Sequence, residues 1–306
     1  MVDVSILLVN YNTKKLLIEC INSVYAKTSG IEYEIIVVDN NSNDGTEEAI
    51  KSTFKHVNFI QSGDNIGFGR ANNLGIKSAK GNFIFLLNSD TILINNAVKI
   101  LFDYMVNNKN VGVAGGNLYN AKEEPTVSFN QLMPGFINDF DVFFGGVYSR
   151  IVYGRNVFFN YSNKSMILNG YVSGADMMIR KDVLDLVGVF DSDFFMYYEE
   201  TELTWRIKKE NYKIASVPDA KIIHLEGASE IIKENTIRRM VKSKFLYFEK
   251  TNSKIYAKLS FYVFALTAWS RMLFYSLIGK RVLVDYWINL LKLNKIEHGA
   301  WKSVLK

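Results

Sequence analysis

The sequence predicts an α/β fold, a mostly parallel central sheet flanked by helices on both faces and followed by a helical C-terminal extension. Three observations predict it. Short apolar, β-branched runs alternate with segments of helical spacing, each run ends in a polar cluster, and beyond residue 230 only helical patterns continue.

Residues 4–9 and 34–38 read as the first two strands. Between them LLIECINSVY places Leu16, Leu17, Cys20, Ile21 and Val24 at helical spacing, so the opening is a βαβ unit. The pattern repeats with a helix from about Thr46, a strand near 57–60, a helix over about 67–78 and a strand at 83–87. The five successive apolar residues of that last strand suit burial on both faces, and sheets so covered bind ligands beyond the carboxyl ends of their strands. A helix over about 95–106 and a strand at 111–116 follow. Residues 120–165 lose any clean period, are rich in aromatics and contain Gly145, Gly146 and Gly154, so they read as a long functional insertion. Order returns with YVSGADMMI, helices over about 181–187 and 199–210, and a strand ending at His224. The expected division is a catalytic-type domain over 1–230 and an extension over 231–306.

With 306 residues, 48% apolar and 22% charged, the chain is globular rather than disordered. Its one cysteine, Cys20, excludes an intramolecular disulfide and a zinc-thiolate cage. The start of the sequence shows an acidic residue within three positions of Met1 and no basic region with a cleavage site, so a cytoplasmic location is expected, including the cytoplasmic face of a membrane. Charge is unevenly spread: residues 231–306 carry 15 Lys/Arg against 4 Asp/Glu, leaving 21 against 27 in residues 1–230. The longest uncharged run of the tail, 259–270, stops at Arg271 and resumes only to Gly279, too short and interrupted to span a bilayer. A basic, aromatic helix suits a membrane surface; a helical cap packed on the core fits the same pattern equally well. Nucleic acid is the weakest partner, because the tail aromatics are spaced as a helix face and not as stacking platforms.

A dinucleotide-binding turn is excluded. The first strand is followed by Asn10, Tyr11, Asn12 and Thr13 without a glycine, and the later GFGRAN has Asn72 where a third glycine is needed. Instead the ordered series VNYN, VVDNNSNDGT, NIGFGRANNLG, LLNSDT, SGADMMIR, FFMYYEETELTWR and VPDAKIIH resembles the family-2 glycosyltransferases, especially the bacterial branch that contains rhamnosyltransferases. The resemblance covers roughly residues 3–226. It implies the GT-A fold and an inverting transfer from a nucleotide sugar, dTDP-rhamnose or a UDP-sugar, to a saccharide acceptor, lipid-linked in cell-surface polysaccharide synthesis, with Mn²⁺ or Mg²⁺ as cofactor.

Residue by residue, LLNSDT resembles the family's Asp-x-Asp element, which makes Asp90 a metal ligand and puts Asn88 and Ser89 beside the donor. Asn88 stands where the first carboxylate is usual, so the site would rely more on diphosphate oxygens and water. Taken alone, Asp90 also fits the N-cap of the next helix. His224 matches the family's late histidine as the second metal ligand, while an isolated histidine is more often structural. Asp39 resembles the pyrimidine-binding aspartate, with Asn10, Tyr11 and Asn12 alongside, although Asp39 and the Asn41 to Gly45 stretch also read as a plain turn. Asn65, Gly67 and Arg70 resemble the element near the ribose and diphosphate. Gly174, Ala175, Asp176 and Trp205 are candidates for the acceptor or donor sugar. Glu200 occupies the general-base position, with Glu199 as runner-up and Glu202 placed to pair with Arg206 at i+4. Acidic residues here are also ordinary in a first helical turn. A catalytically silent sugar-nucleotide-binding protein of the same fold is the alternative.

Overall fold

A computed structural model of the protein describes residues 2–225 and 234–304. The expected boundary at 230/231 lies outside the described residues. The elements in order are β1 (Val4–Asn10), α1 (Lys14–Lys27), β2 (Tyr33–Asp39), α2 (Thr46–Thr53), β3 (Asn58–Gln61), α3 (Phe68–Ser78), β4 (Phe83–Asn88), β5 (Thr91–Leu93), α4 (Ala97–Asn107) and β6 (Val111–Tyr119). Then come β7 (Phe129–Asn130), α5 (Phe136–Phe143), α6 (Val147–Tyr153), β8 (Met166–Leu168), β9 (Tyr171–Val172), β10 (Asp176–Arg180), α7 (Lys181–Val187), α8 (Glu199–Lys209) and β11 (Lys213–His224). The helices α9 (Glu234–Thr251), α10 (Lys254–Leu277) and α11 (Arg281–Val304) close the chain.

The main sheet runs β3-β2-β1-β4-β10-β6-β11-β5, with β8 paired to β11. It is parallel through β3-β2-β1-β4 and again between β6 and β11, while β10, β5 and β8 run antiparallel to their neighbours. Strand alternation divides the core in two. Ile6, Leu8, Val37, Phe85 and Leu87 point to the face covered by Leu17 and Ile21 of α1 and Leu101 of α4. Leu7, Ile36, Val38, Ile84 and Leu86 point to the face covered by Ala71 of α3, Val183 of α7 and Leu203 of α8. Burial on both faces is why these strands read as continuous apolar runs.

The described chain forms two compact units. The first holds 2–131, 155–195 and 199–225, and so the whole sheet. The second takes 132–154 and 196–198 together with the helical tail. Part of the aromatic insertion therefore groups with the extension and not with the sheet. The period was unreadable there because α5 and α6 are only 8 and 7 residues long, shorter than a pattern needs to declare itself.

Candidate active site

The polar clusters at the strand ends meet at one edge of the sheet. Asp39, at the end of β2, is fully buried and accepts from Asn10 Nδ2 at 2.8 Å, the Ser42 amide at 2.8 Å, Ser42 Oγ at 2.7 Å and Gln61 Nε2 at 3.2 Å. Asn10 is buried too, and its Oδ1 accepts from Thr13 Oγ1 at 2.6 Å. Thr13 Oγ1 in turn lies 3.1 Å from Ser89 Oγ. A hydrogen-bonded line therefore joins the end of β2 to the turn after β4. Asn12, at φ 55°, holds the Asn43 amide at 2.9 Å, which folds the first loop against the second and leaves the Tyr11 ring half exposed.

Asp90 occupies the two-residue turn between β4 and β5, and the next helix starts seven positions later with Asn96 as its N-cap. Asp90 is thus not a helix cap. The short β5 pairs antiparallel with the end of β11, setting His224 opposite Thr91. That register brings His224 Nε2 to 3.2 Å from Asp90 Oδ1 and 3.3 Å from Asn88 Nδ2. The backbone is locked as well: the Leu225 amide donates to the Asp90 carbonyl at 2.9 Å and the Asn88 amide to the Ala175 carbonyl at 3.0 Å. One carboxylate and one imidazole nitrogen converging from two strand ends fit a small divalent cation, and among the described residues no group of three or more such side chains does. The pair therefore leaves most of a coordination shell to donor oxygens and water.

Glu200 stands in the first turn of α8. Its Cγ lies 3.6 Å from where a Cβ on Gly174 would sit, and Phe68 flanks the same spot at 3.7 Å, so Gly174 lies directly against the carboxylate arm. Burial lifts the Glu200 pKa above its ordinary value, opposed by hydrogen bonds that include Thr201 Oγ1 at 3.3 Å. Glu199 is turned towards Gly69 of α3 and is deeper, with Oε2 lacking a hydrogen-bond partner. Burial, then the Glu200 charge, pushes its pKa well up. Two adjacent carboxylates in a dry site do not both ionise readily, so the pair holds on to a proton above the ordinary carboxylate range. Glu202 is paired with Arg206 at 2.8 Å, as the i+4 spacing predicts.

Other predicted residues take scaffold positions. Gly67, at φ 86°, faces the Phe195 carbonyl, which a Cβ would meet at 2.2 Å; its close approach is to the protein's own backbone. Asn65 Oδ1 accepts the Gly67 amide at 3.2 Å, and the exposed Arg70 donates to the Ser192 carbonyl at 2.6 Å. Asp176 is fully buried, and its Oδ2 accepts the Gly116 amide at 2.6 Å while burial drives its pKa well up. Ala175 is buried beside it, and Trp205 is half-buried under the Lys209 ammonium, 4.0 Å from the ring centroid. Sequence reasoning gave no role to Thr13 or Ser42, which join the loops, nor to Tyr171. That tyrosine is partly buried, and burial followed by the Glu200 charge raises its pKa. Its only signal was its place at the head of YVSGADMMI.

The model of Glycosyl transferase family 2 matches residues 5–188, so Glu199, Glu200 and His224 lie beyond the matched span. The chain is 27% identical over 229 residues to the low-salt glycan biosynthesis hexosyltransferase Agl10 of Haloferax volcanii, covering 72% of this chain and 67% of that one. It is 24% identical over 213 residues to an N-acetylglucosaminyl-diphospho-decaprenol L-rhamnosyltransferase of Mycobacterium tuberculosis, covering 64% and 67%. Among solved structures it resembles the mannosyltransferase PcManGT of Pyrobaculum calidifontis, in complex with GDP-Man and Mn²⁺, with a TM-score of 0.62 at 14% identity over 95% of this chain and 85% of that one. GalNAc-T7 with UDP, GalNAc and Mn²⁺ gives 0.60 at 16% identity, over 81% and 48%. The family match over more than half of the chain, joined to a GT-A-like fold, makes this protein a member of glycosyl transferase family 2, an enzyme that transfers a sugar from a nucleotide-sugar donor.

Proposed function

We propose that the chain moves a hexose or deoxyhexose, with inversion at the anomeric carbon, from a UDP-sugar or dTDP-rhamnose to a lipid-linked saccharide of a cell-surface polysaccharide. The supporting observation is the convergence of Asp90 and His224 at the sheet edge, linked through Asn88 and Ala175 to Gly174, over which Glu200 is packed. Similarity to the hexosyltransferase and to the rhamnosyltransferase supports each donor class in turn.

Asp90 and His224 would hold Mn²⁺ or Mg²⁺, which when bound offsets the negative charge of a departing diphosphate. Asp39, Asn10 and Thr13 fix the two loops that flank the nucleotide, and Tyr11 offers a ring face to the base. Glu200 takes the proton of the attacking hydroxyl, whose own pKa is too high for it to act unaided at neutral pH. Its raised pKa strengthens it as a base once ionised. The basic extension would hold the enzyme at the cytoplasmic face of a membrane, where such an acceptor resides.

Glu200→Gln should lower kcat by about 10²- to 10⁴-fold, the usual weight of a general base, while thermal-shift titration with nucleotide sugars and Mn²⁺ shows donor binding intact. In the unmodified enzyme kcat/KM should rise with pH through the elevated Glu200 pKa, placing the acidic limb above the ordinary carboxylate range. Wild-type transfer rates in the variant would remove Glu200 from the chemistry. The Asn88 amide, 3.3 Å from His224 Nε2 where a carboxylate is usual, favours a second reading as a silent donor-binding protein. Donor binding without turnover across a panel of saccharide acceptors would establish that reading instead.

A further inference from the structure

In the second unit α9 buries Phe245, Tyr247 and Phe248 in the ordinary way, but α5, α6 and α10 do the reverse. α5 buries only Asp139 and Asp141 and turns Ile137 and Phe140 outward, and Phe144 at its C-cap is exposed as well. α6 buries only Ser149 and exposes Val147 and, at 79%, Ile151. α10 buries nothing larger than Ala257, Ser260, Thr267 and Ala268. Its exposed residues Leu259, Tyr262, Leu266, Trp269, Leu273 and Leu277 recur every three or four positions, forming one apolar stripe along a 24-residue helix. The hairpin tip that follows exposes Val282 at 82% beside Lys280 and Arg281.

These are not loose ends. Asp139 is fixed by Lys244 Nζ at 3.0 Å and Ser260 Oγ at 2.5 Å, and Asp141 accepts the Ser149 amide at 3.1 Å. Phe136 packs on Tyr256 at 4.3 Å between centroids, and Arg271 donates to the carbonyls of Val142 and Phe143 at the far end of α5. The helices are thus held in register with their carboxylates inward. Between α5 and α6 lies an open apolar groove of about 510 Å³, lined by Phe136, Ile137, Phe140, Phe144, Tyr148 and Ile151.

A helix that faces water turns its large apolar residues inward, whereas the fully buried residues of α10 are alanines, a serine and a threonine and its leucines lie outside, as they would against lipid. No described helix is long and apolar enough to cross a membrane, so a crossing bundle does not account for it. Charge favours lipid over a second copy of the chain. Neither carboxylate of α5 is exposed, α6 and α10 have none, and Arg150, Lys258, Lys280 and Arg281 all face outward. Two such faces brought together would offer these cations no partner, whereas anionic headgroups offer many.

We infer that the outward faces of α5, α6 and α10 form a monotopic membrane-inserting surface, seated in one leaflet of an anionic bilayer, with the α5–α6 groove taking lipid hydrocarbon. This rests on the lipid-linked acceptor proposed above and extends the contact from the tail to residues 132–154.

The test uses the full chain with vesicles of phosphatidylcholine alone and with phosphatidylglycerol added. The wild type should co-sediment with the anionic vesicles, and Phe140→Ser with Phe144→Ser, or Leu266→Ser with Leu273→Ser, should each lower partitioning by about tenfold or more. A nitrobenzoxadiazole dye on Ile151→Cys should shift to the blue on the same vesicles. Cys20 is fully buried and its thiol is pushed up to about 12, so it escapes labelling. Partitioning unchanged in both double variants, or a dye that stays in water, overturns the inference. So does a wild type that ignores vesicles but elutes as a dimer that the same variants split. Transfer to a soluble saccharide acceptor is measured in parallel: its persistence without vesicle binding defeats this inference alone, and its absence with vesicle binding defeats the proposed function alone.

Discussion

α1 and α10 are both amphipathic in sequence, yet they face opposite ways. α1 buries Leu17, Cys20, Ile21 and Val24 against the sheet, as a helix in water must. α10 buries alanines, a serine and a threonine, and exposes its leucines and a tryptophan. Buried carboxylates divide in the same way. In the first unit Glu199 and Asp176 are buried with an oxygen that lacks a hydrogen-bond partner and with their pKa values driven up, a state suited to chemistry. In the second, Asp139 is neutralised by Lys244 and serves only to hold α5 in place. One unit turns its large apolar side chains inward against the sheet; the other turns those of α5, α6 and α10 outward, as the proposed lipid-facing surface requires.

The sharpest way to break this contrast is to delete a large apolar side chain from each unit. Phe85 is fully buried between strand and helix, and Phe85→Ala should cost about 3–5 kcal/mol in denaturant unfolding, from lost burial and the cavity left behind. A cost below about 1 kcal/mol would mean that the sheet core is loosely packed, against the usual density of interiors. Next in size is Asp139→Ala. It strands the Lys244 ammonium and the Ser260 hydroxyl without their anionic partner, so about 3 kcal/mol is expected, with Asp139→Asn recovering part of it through the Ser260 bond. Equal stability of the two variants would show that the ion pair contributes nothing and that α5 is held by Phe136 and Arg271 alone.

Much of the first unit was legible because its physics is local. Three strands of the parallel half are apolar on both faces, so 4–9, 34–38 and 83–87 announced themselves, and the polar clusters that end them do meet at one edge of the sheet. The Asp90 and His224 pairing was reachable only by family resemblance. Its physical cause, the three-residue β5, is too short to show a period and pairs across 130 residues of chain. Asp39 and Asn10 look alike as turn formers and as donor ligands, and only the four donors gathered on Asp39 reveal how far it is committed to the fold. The second unit defeated pattern reading for a different reason. Periodicity shows that a helix has an apolar face and is silent on which way that face turns, since burial inward is an assumption about solvent. Only the positions of Asp139, Ser260 and Thr267 decide it.

The smallest expected effect bears most directly on the contrast. Ile151→Ser and Leu266→Ser each remove a large apolar side chain, as Phe85→Ala does, but from positions that are mostly open. Unfolding of the free chain in detergent-free buffer should change by no more than about 0.5 kcal/mol, the range of ordinary surface substitutions. Solubility should rise as the exposed apolar area shrinks, read as the protein concentration at which light scattering begins. A loss near 2 kcal/mol for either variant would mean that its side chain is packed against protein when no lipid is present. The apolar face would then be an interior in disguise, and the two units would obey the same rule after all.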